Sequence, residues 1–201
     1  MSARRAPLDE PVRRFAALLG EAEALERTLL PEPTAFCLAT VGENGQPSAR
    51  MLLLKGVDAD GFVFHTHYFG RKGRELAMHP AAAMCFHWQP LEVQVRVEGS
   101  VTRASEAESD AYFATRARER QLGAWASVQS SELVEPADFR RRLEEFESRF
   151  AGADVPRPPH WGGFRLAPAR IEFWRNRANR WHDRELYERD GAGWQVSLLY
   201  P

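Results

Sequence analysis

The chain has no run of eighteen or more consecutive apolar residues, so the sequence offers no helix that would span a bilayer. Cysteine is nearly missing: Cys37 and Cys85 are the only two, each inside an apolar run. They lack the spacing of a zinc site and read as buried free thiols of a reducing compartment, not as a disulfide framework. Neither sign of charge is in excess. The 27 Lys and Arg are set against 28 Asp and Glu, a net charge of −1, which leaves no global attraction for nucleic acid or anionic membranes. The opening MSARRAPLDEPVRRF is charged without an apolar core, so no secretory signal is expected and a cytoplasmic location is. No internal repeat and no low-complexity tract occurs.

What is present is enough apolar material, 44% of 201 residues, for one domain or for one domain that completes its core by dimerising. Residues 1–8 are polar and expected to be loose. Over 9–30 the apolar residues Phe15, Leu18, Leu19 and Leu25 recur with a helical period that Pro31 and Pro33 close. Strands follow at 36–41, 48–57 and 62–68, with turn residues at 42–45 and 60–61, and read as a meander. A short helix is expected over 71–79, then strands over 81–88 and 91–103. In the last, Val93, Val95 and Val97 alternate with Gln94, Arg96 and Glu98, so one face is buried. Residues 105–116 read as a helix with Ser105 as N-cap. Phe139, Leu143, Phe146 and Phe150 form another helical stripe, and 155–159 an extended connector. Strands over 164–175 and 185–199 close the chain, the latter a hairpin around 190–193. The fold class is mainly β with flanking helices: a small antiparallel barrel in a single domain.

Four polar segments are unusual for a purely structural barrel. Arg50 and Lys55 stand at the ends of one apolar stretch and, in a regular strand, point to opposite faces. Taken alone they read more simply as strand-end charges reaching solvent than as a ligand site. Gly70-Arg71-Lys72-Gly73 opens a helix, where free N–H groups and the positive dipole end favour phosphate. Tyr112 and Arg116 are four apart, one helix face, and pair a phenol with a guanidinium. Arg180, His182 and Arg184 would share one strand face, and three cations together call for an anionic partner. His65 and His67, two apart on a strand, have no partner pattern for a metal, and none is expected.

Six pieces in order, residues 47–55, 121–125, 129–131, 161–165, 171–174 and 180–184, resemble the pyridoxine/pyridoxamine 5′-phosphate oxidase family over nearly the whole chain. The resemblance implies an FMN-binding split β-barrel, homodimeric, with FMN at the subunit interface and residues 161–201 supplying dimerisation and active-site strands. It implies FMN contacts on Arg50, Met51, Leu52, Leu53, Leu54, Lys55, His65, Thr66, Arg71, Lys72, Gln94, Gln129, Ser130, Trp174 and Arg184. The substrate, a phosphorylated B6 vitamer oxidised by O2, would be met by Lys55, Tyr112 and Arg116. Arg180 and His182 would lie against its ring and reacting carbon as the catalytic pair.

The sequence departs from that family's pattern at three positions. Arg120 stands where a serine of the substrate-phosphate site is usual, His65 where a tyrosine is, and Gly70 where serine is frequent. Arg120 either reinforces phosphate binding or turns the site toward another anion. The basic N-terminal extension of some relatives is short here. Two other readings stay open: an FMN oxidase of another ring compound, of the phenazine-biosynthesis type, and a non-enzymatic flavin- or haem-binding barrel.

Overall fold

The computed structural model describes residues 4–201; residues 1–3 of the segment expected to be loose lie outside the described residues. From Arg4 that expectation does not hold. Strand β1 (Arg4–Ala6) pairs antiparallel with β10 (Gly193–Leu198), Ala6 opposite Trp194. A sheet edge offers unpaired N–H and C=O groups, and these three residues cover the middle of it, Trp194 to Val196. Arg4 is further held by Glu10 at 2.6 Å.

Helix α1 (Glu10–Glu23) stops a turn and more short of the expected 30. Its buried stripe runs Phe15, Leu18, Ala22; Leu25 continues that face in sequence but lies beyond the helix, half-buried in the turn that follows. The chain then crosses in turns to β2 (Ala35–Val41) and β3 (Pro47–Leu53). The single strand expected over 48–57 is two, because it changes partner. β3 pairs β2, while β4 (Gly56–Asp58) pairs β5 (Gly61–His67). Between them the Leu54 N–H bonds the Thr34 carbonyl at 2.9 Å and the Lys55 N–H the Val63 carbonyl at 2.8 Å. That switch closes the barrel.

Helix α2 (Arg71–Met78) leads to β6 (Ala81–Trp88) and β7 (Val93–Arg103). Three helices follow: α3 (Glu106–Ala114), α4 (Arg118–Ala126) and α5 (Pro136–Arg149). Ser105 caps α3 in a reciprocal capping box with Glu108. The α4 segment, with its small residues, carries no clear apolar period. It is helical because Leu122, Ala124 and Ala126 bury against Phe113 and Phe146 in a satellite core that Trp161 joins. Of the stripe on α5, Phe146 is buried, Leu143 and Phe150 are partly so, and Phe139 is exposed.

Strand β8 (Trp161–Arg175) is fifteen residues long and has three neighbours. It pairs β7 along residues 164–175, β5 along residues 161–166, and β9 (Asp183–Asp190) along residues 170–175. Its first half therefore belongs to the barrel and its second to a sheet continued by β9, β10 and β1. The split sits at a bulge after Glu98, where a Cβ on Gly99 would lie 2.0 Å from the Ala167 carbonyl oxygen. Only glycine allows that approach. Inside the barrel Phe36, Leu38, Phe64, Phe86, Val95 and Leu166 are fully buried. Phe15 of α1 plugs the barrel, its ring 4.8 Å from those of Phe62 and Phe86. Burial of one such ring is worth about 2–3 kcal/mol. Cys37 and Cys85 stand opposite one another on β2 and β6, both free and half-buried, not fully buried.

Candidate functional site

The first polar recess is a cavity of about 310 Å³ beside the barrel wall. Lys55 enters it from the switch between β3 and β4, His65 from β5, Tyr112 from the last turn of α3, and Arg120 from the first turn of α4. Arg116 and Trp161 complete it with Met51, Leu52 and Leu53. The sharing of one helix face by Tyr112 and Arg116 does not hold. Thr115 caps α3 by bonding the Tyr112 carbonyl through N–H and hydroxyl, so Arg116 lies in the link to α4. Both side chains nonetheless reach the same space. Leu54 does not; its side chain is in the barrel core.

Arg116 lies with its guanidinium carbon 4.6 Å from the Trp161 ring centroid, and its Nη1 is buried without a hydrogen-bond partner. Burial lowers its pKa, opposed by Tyr112 and reinforced by Arg120. His65 stacks against both Tyr112 at 4.1 Å and Trp161 at 5.4 Å, and those two rings stack on each other at 6.1 Å. Both its ring nitrogens are buried and unpartnered. Burial, then the charges of Arg116 and Lys55, push it down to about 4, so its ring is neutral at physiological pH. No carboxylate lines the cavity. A buried donor of Arg116 without an acceptor, beside the cations of Lys55 and Arg120, suits an anion.

The second recess lies on the other side of β5. Lys72, at the start of α2, is buried and donates to Gln129 Oε1 at 2.7 Å and to Thr66 Oγ1 at 3.1 Å. The Arg71 N–H bonds Ser130 Oγ at 3.1 Å. Gly70 is the N-cap with no side-chain cap of its own; a Cβ there would meet Gln129 Oε1 at 2.7 Å, so glycine lets that amide lie over the helix end. Burial, then Arg50, push the Lys72 ammonium down to about 8, with Glu75 opposing.

Glu75 is the residue that a reading of the sequence misses. Its buried carboxylate accepts from Ser48 at 2.7 Å, Arg71 Nε at 2.9 Å, Arg50 at 3.2 Å, and Thr40. Burial alone would raise its pKa, but these four donors outweigh it and hold it at about 2. One carboxylate thus fixes Arg50 and Arg71 beside Lys72 and leaves the recess net positive. Scarcity was the available signal: the chain has only two lysines, Lys55 and Lys72, and each faces one recess.

The remaining residues lie elsewhere. Gln94, Trp174 and Arg184 are in register across β7, β8 and β9. The His182 ring packs on Trp174 at 4.7 Å beside a cavity of about 520 Å³. The strand face expected to join Arg180, His182 and Arg184 does not form, because β9 starts at Asp183. Residues 178–180 make a tight turn with Asn179 at φ 56° and Arg180 at φ 62°. His182 instead accepts the Arg177 N–H on Nδ1 at 3.3 Å. Arg184 is bound to Glu172, a buried carboxylate that also holds Arg96. Thirteen residues of β8 separate Trp161 from Trp174, roughly 40 Å of strand. Within one chain, then, the two recesses are adjacent and the Trp174 group is remote from both.

A split antiparallel barrel with a cationic cavity on one side of β5, and a buried lysine held among amide and hydroxyl oxygens beside two arginines on the other, defines a protein suited to anionic ligands. The chain belongs to the pyridoxamine 5′-phosphate oxidase family: that family's model matches residues 22–175, and the pyridoxine 5′-phosphate oxidase C-terminal dimerisation region matches residues 161–201. A pyridoxine/pyridoxamine 5′-phosphate oxidase of Rubrobacter xylanophilus is 55% identical over 192 residues, spanning 96% of this chain and 87% of the relative. One of Myxococcus xanthus is 52% identical over 192 residues, 96% of this chain and 92% of its own. Among solved structures, PhzG of Burkholderia lata in complex with tetrahydrophenazine-1-carboxylic acid has a TM-score of 0.88 at 33% identity, covering 95% of this chain and 92% of its own. A pyridoxamine 5′-phosphate oxidase-related, FMN-binding protein of Nostoc punctiforme shares the fold, with a TM-score of 0.71 at 19% identity over 94% and 95% of the two chains.

Proposed function

We propose that the chain is an FMN-dependent oxidase that converts pyridoxine 5′-phosphate or pyridoxamine 5′-phosphate to pyridoxal 5′-phosphate with O2 as acceptor. The observation that carries this reading is the pair of recesses on either side of β5, one for the phosphate of FMN and one for that of the substrate. Lys72, Thr66, Gln129, Ser130 and the first N–H groups of α2 would hold the cofactor phosphate, with Arg50 and Arg71 adding charge. When bound, FMN supplies the two-electron acceptor, which oxygen restores with release of hydrogen peroxide. Lys55, Tyr112, Arg116 and Arg120 anchor the substrate phosphate and so fix the position of the ring attached to it.

The roles of Gln94, Trp174, Arg180, His182 and Arg184 require a second copy. Their distance along β8 from the recesses supports a homodimer in which that face of one protomer completes the site of its partner, and the matched dimerisation region agrees with it. There Arg180 and His182 would align the reacting carbon. A cytoplasmic location accompanies the reading, on cysteine usage.

Arg120 supports a second reading, oxidation of another anionic ring compound, since a carboxylate would also be met by a third cation. Oxygen uptake by the FMN-loaded protein separates the two. Consumption with pyridoxamine phosphate at micromolar levels, and none with non-phosphorylated ring amines or acids, is expected. The reverse preference would overturn the first reading in favour of the second.

A further inference from the structure

The acidic side chains of α3 beside the substrate recess are already committed, while Glu119, next to Arg120 on α4, is exposed to solvent. Glu106 and Asp110 of α3 are held by Arg157, and Glu108 by Arg165, which also takes Asp58. Both arginines are largely buried and ordered by these pairs. The capping glutamate of α3 therefore faces away from the recess in its bonding, although its charge still acts on His65. Lys55, Arg116 and Arg120 are left without an ion pair among the described residues. His65 between them is neutral, and Arg157 adds further positive potential from behind. Arg116 and Arg120 are close enough to repel each other.

Three like charges, one of them a guanidinium with an orphaned nitrogen, do more than attract an anion. They favour the ligand state that carries the most negative charge. A phosphate monoester has its second ionisation near pH 6, so it exists as monoanion and dianion in the range where the enzyme works. We infer that Arg120 makes this recess selective for the phosphate dianion, holding the bound ligand doubly ionised to lower pH than the same recess would with a neutral residue at that position. This rests on the reading of the recess as a phosphate site. The groups that bear on the ligand are Lys55 from the β3–β4 switch, His65 from β5, Tyr112 and Glu108 from α3, Arg116 from the link, and Arg157 from the segment before β8. Burial holds His65 at about 4, so it stays neutral while the phosphate titrates, and its protonation at lower pH would add a fourth cation, which works in the same direction.

The test uses the FMN-loaded protein and two probes, pyridoxal 5′-phosphate and inorganic phosphate, followed by phosphorus NMR and calorimetric titration from pH 5 to 8. In the parent protein the bound phosphorus signal should stay at the dianion position down to at least one pH unit below the free ligand's midpoint. In Arg120→Ser it should titrate closer to the free value, and affinity at pH 7 should fall on the order of tenfold. With substrate, KM should rise and kcat should be largely kept. Arg120→Lys should restore the low-pH dianion. Superimposable bound-state titrations of the parent and Arg120→Ser overturn the inference. Failure of the functional reading looks different: pyridoxal 5′-phosphate would not bind the parent at all, while inorganic phosphate would still report the effect of Arg120.

Discussion

Arg184 donates through Nε to the buried carboxylate of Glu172 at 2.8 Å, the two residues being diagonal neighbours on β9 and β8. The same carboxylate takes Arg96 of β7, and Arg184 also reaches the Tyr200 carbonyl at 2.9 Å. Burial raises the pKa of Glu172, yet the two arginines outweigh that and keep it ionised. Glu172→Ala should therefore lower the unfolding free energy by about 1–3 kcal/mol. That is less than for a fully enclosed pair, because both guanidiniums keep some contact with water. Urea denaturation gives the value. A loss below a few tenths would mean that the carboxylate holds nothing in place.

Lys72→Met should leave the fold intact and weaken FMN retention about ten- to hundredfold, the cost of one charge-assisted phosphate contact. Lys72 is the buried donor shared by Thr66 and Gln129. Quenching of flavin fluorescence on titration of the apoprotein measures it. Unchanged affinity would move the cofactor phosphate elsewhere.

Arg180 occupies a left-handed backbone conformation at φ 62°, next to Asn179 at φ 56°. Such conformations cost a non-glycine residue about 1 kcal/mol. Arg180→Gly should thus be neutral or up to about 1 kcal/mol more stable, while turnover falls by two orders of magnitude or so through lost alignment. FMN affinity should not change. Full activity in this variant would remove Arg180 from the site.

His65 and His67 both have folded pKa values pushed down to about 4, chiefly by burial. The unfolded chain binds protons on them from about 6.5 downward, and the folded chain does not until about 4. Stability therefore rises with pH across that window: it is fully present above about 6.5 and is lost progressively as pH falls toward 4. Denaturation midpoints from pH 4 to 7.5 should show this slope, and His65→Phe should make it shallower. If His65→Phe leaves the slope unchanged, His65 is not neutral in the folded chain.

The alternation of Val93, Val95 and Val97, the cap at Ser105 and the hairpin near residue 190 were readable because each is local: a period of two, an i to i+3 contact, a tight turn. The break at Leu54 was not, because it depends on a change of partner strand, with Leu54 bonding Thr34 before β2 and Lys55 bonding Val63 of β5. The same holds for the site. Lys72 and Arg71 could be placed from a glycine-flanked helix start. Glu75 could not, since a lone glutamate in a helix reads as surface until Thr40, Ser48 and Arg50 are folded against it. Arg180 was placed on a strand by a spacing of two, and the turn at residues 178–180 overrode that spacing.

The two family models overlap on residues 161–175, the span of β8. What reads in sequence as a boundary between modules is one strand, whose first half pairs β5, whose second half pairs β9, and which β7 spans from residue 164 to 175. The two matched regions therefore share a strand and do not meet at a free boundary. Backbone amides of β8 should exchange with solvent only when the whole molecule opens, and β5, β7 and β9 should follow it as one cooperative unit.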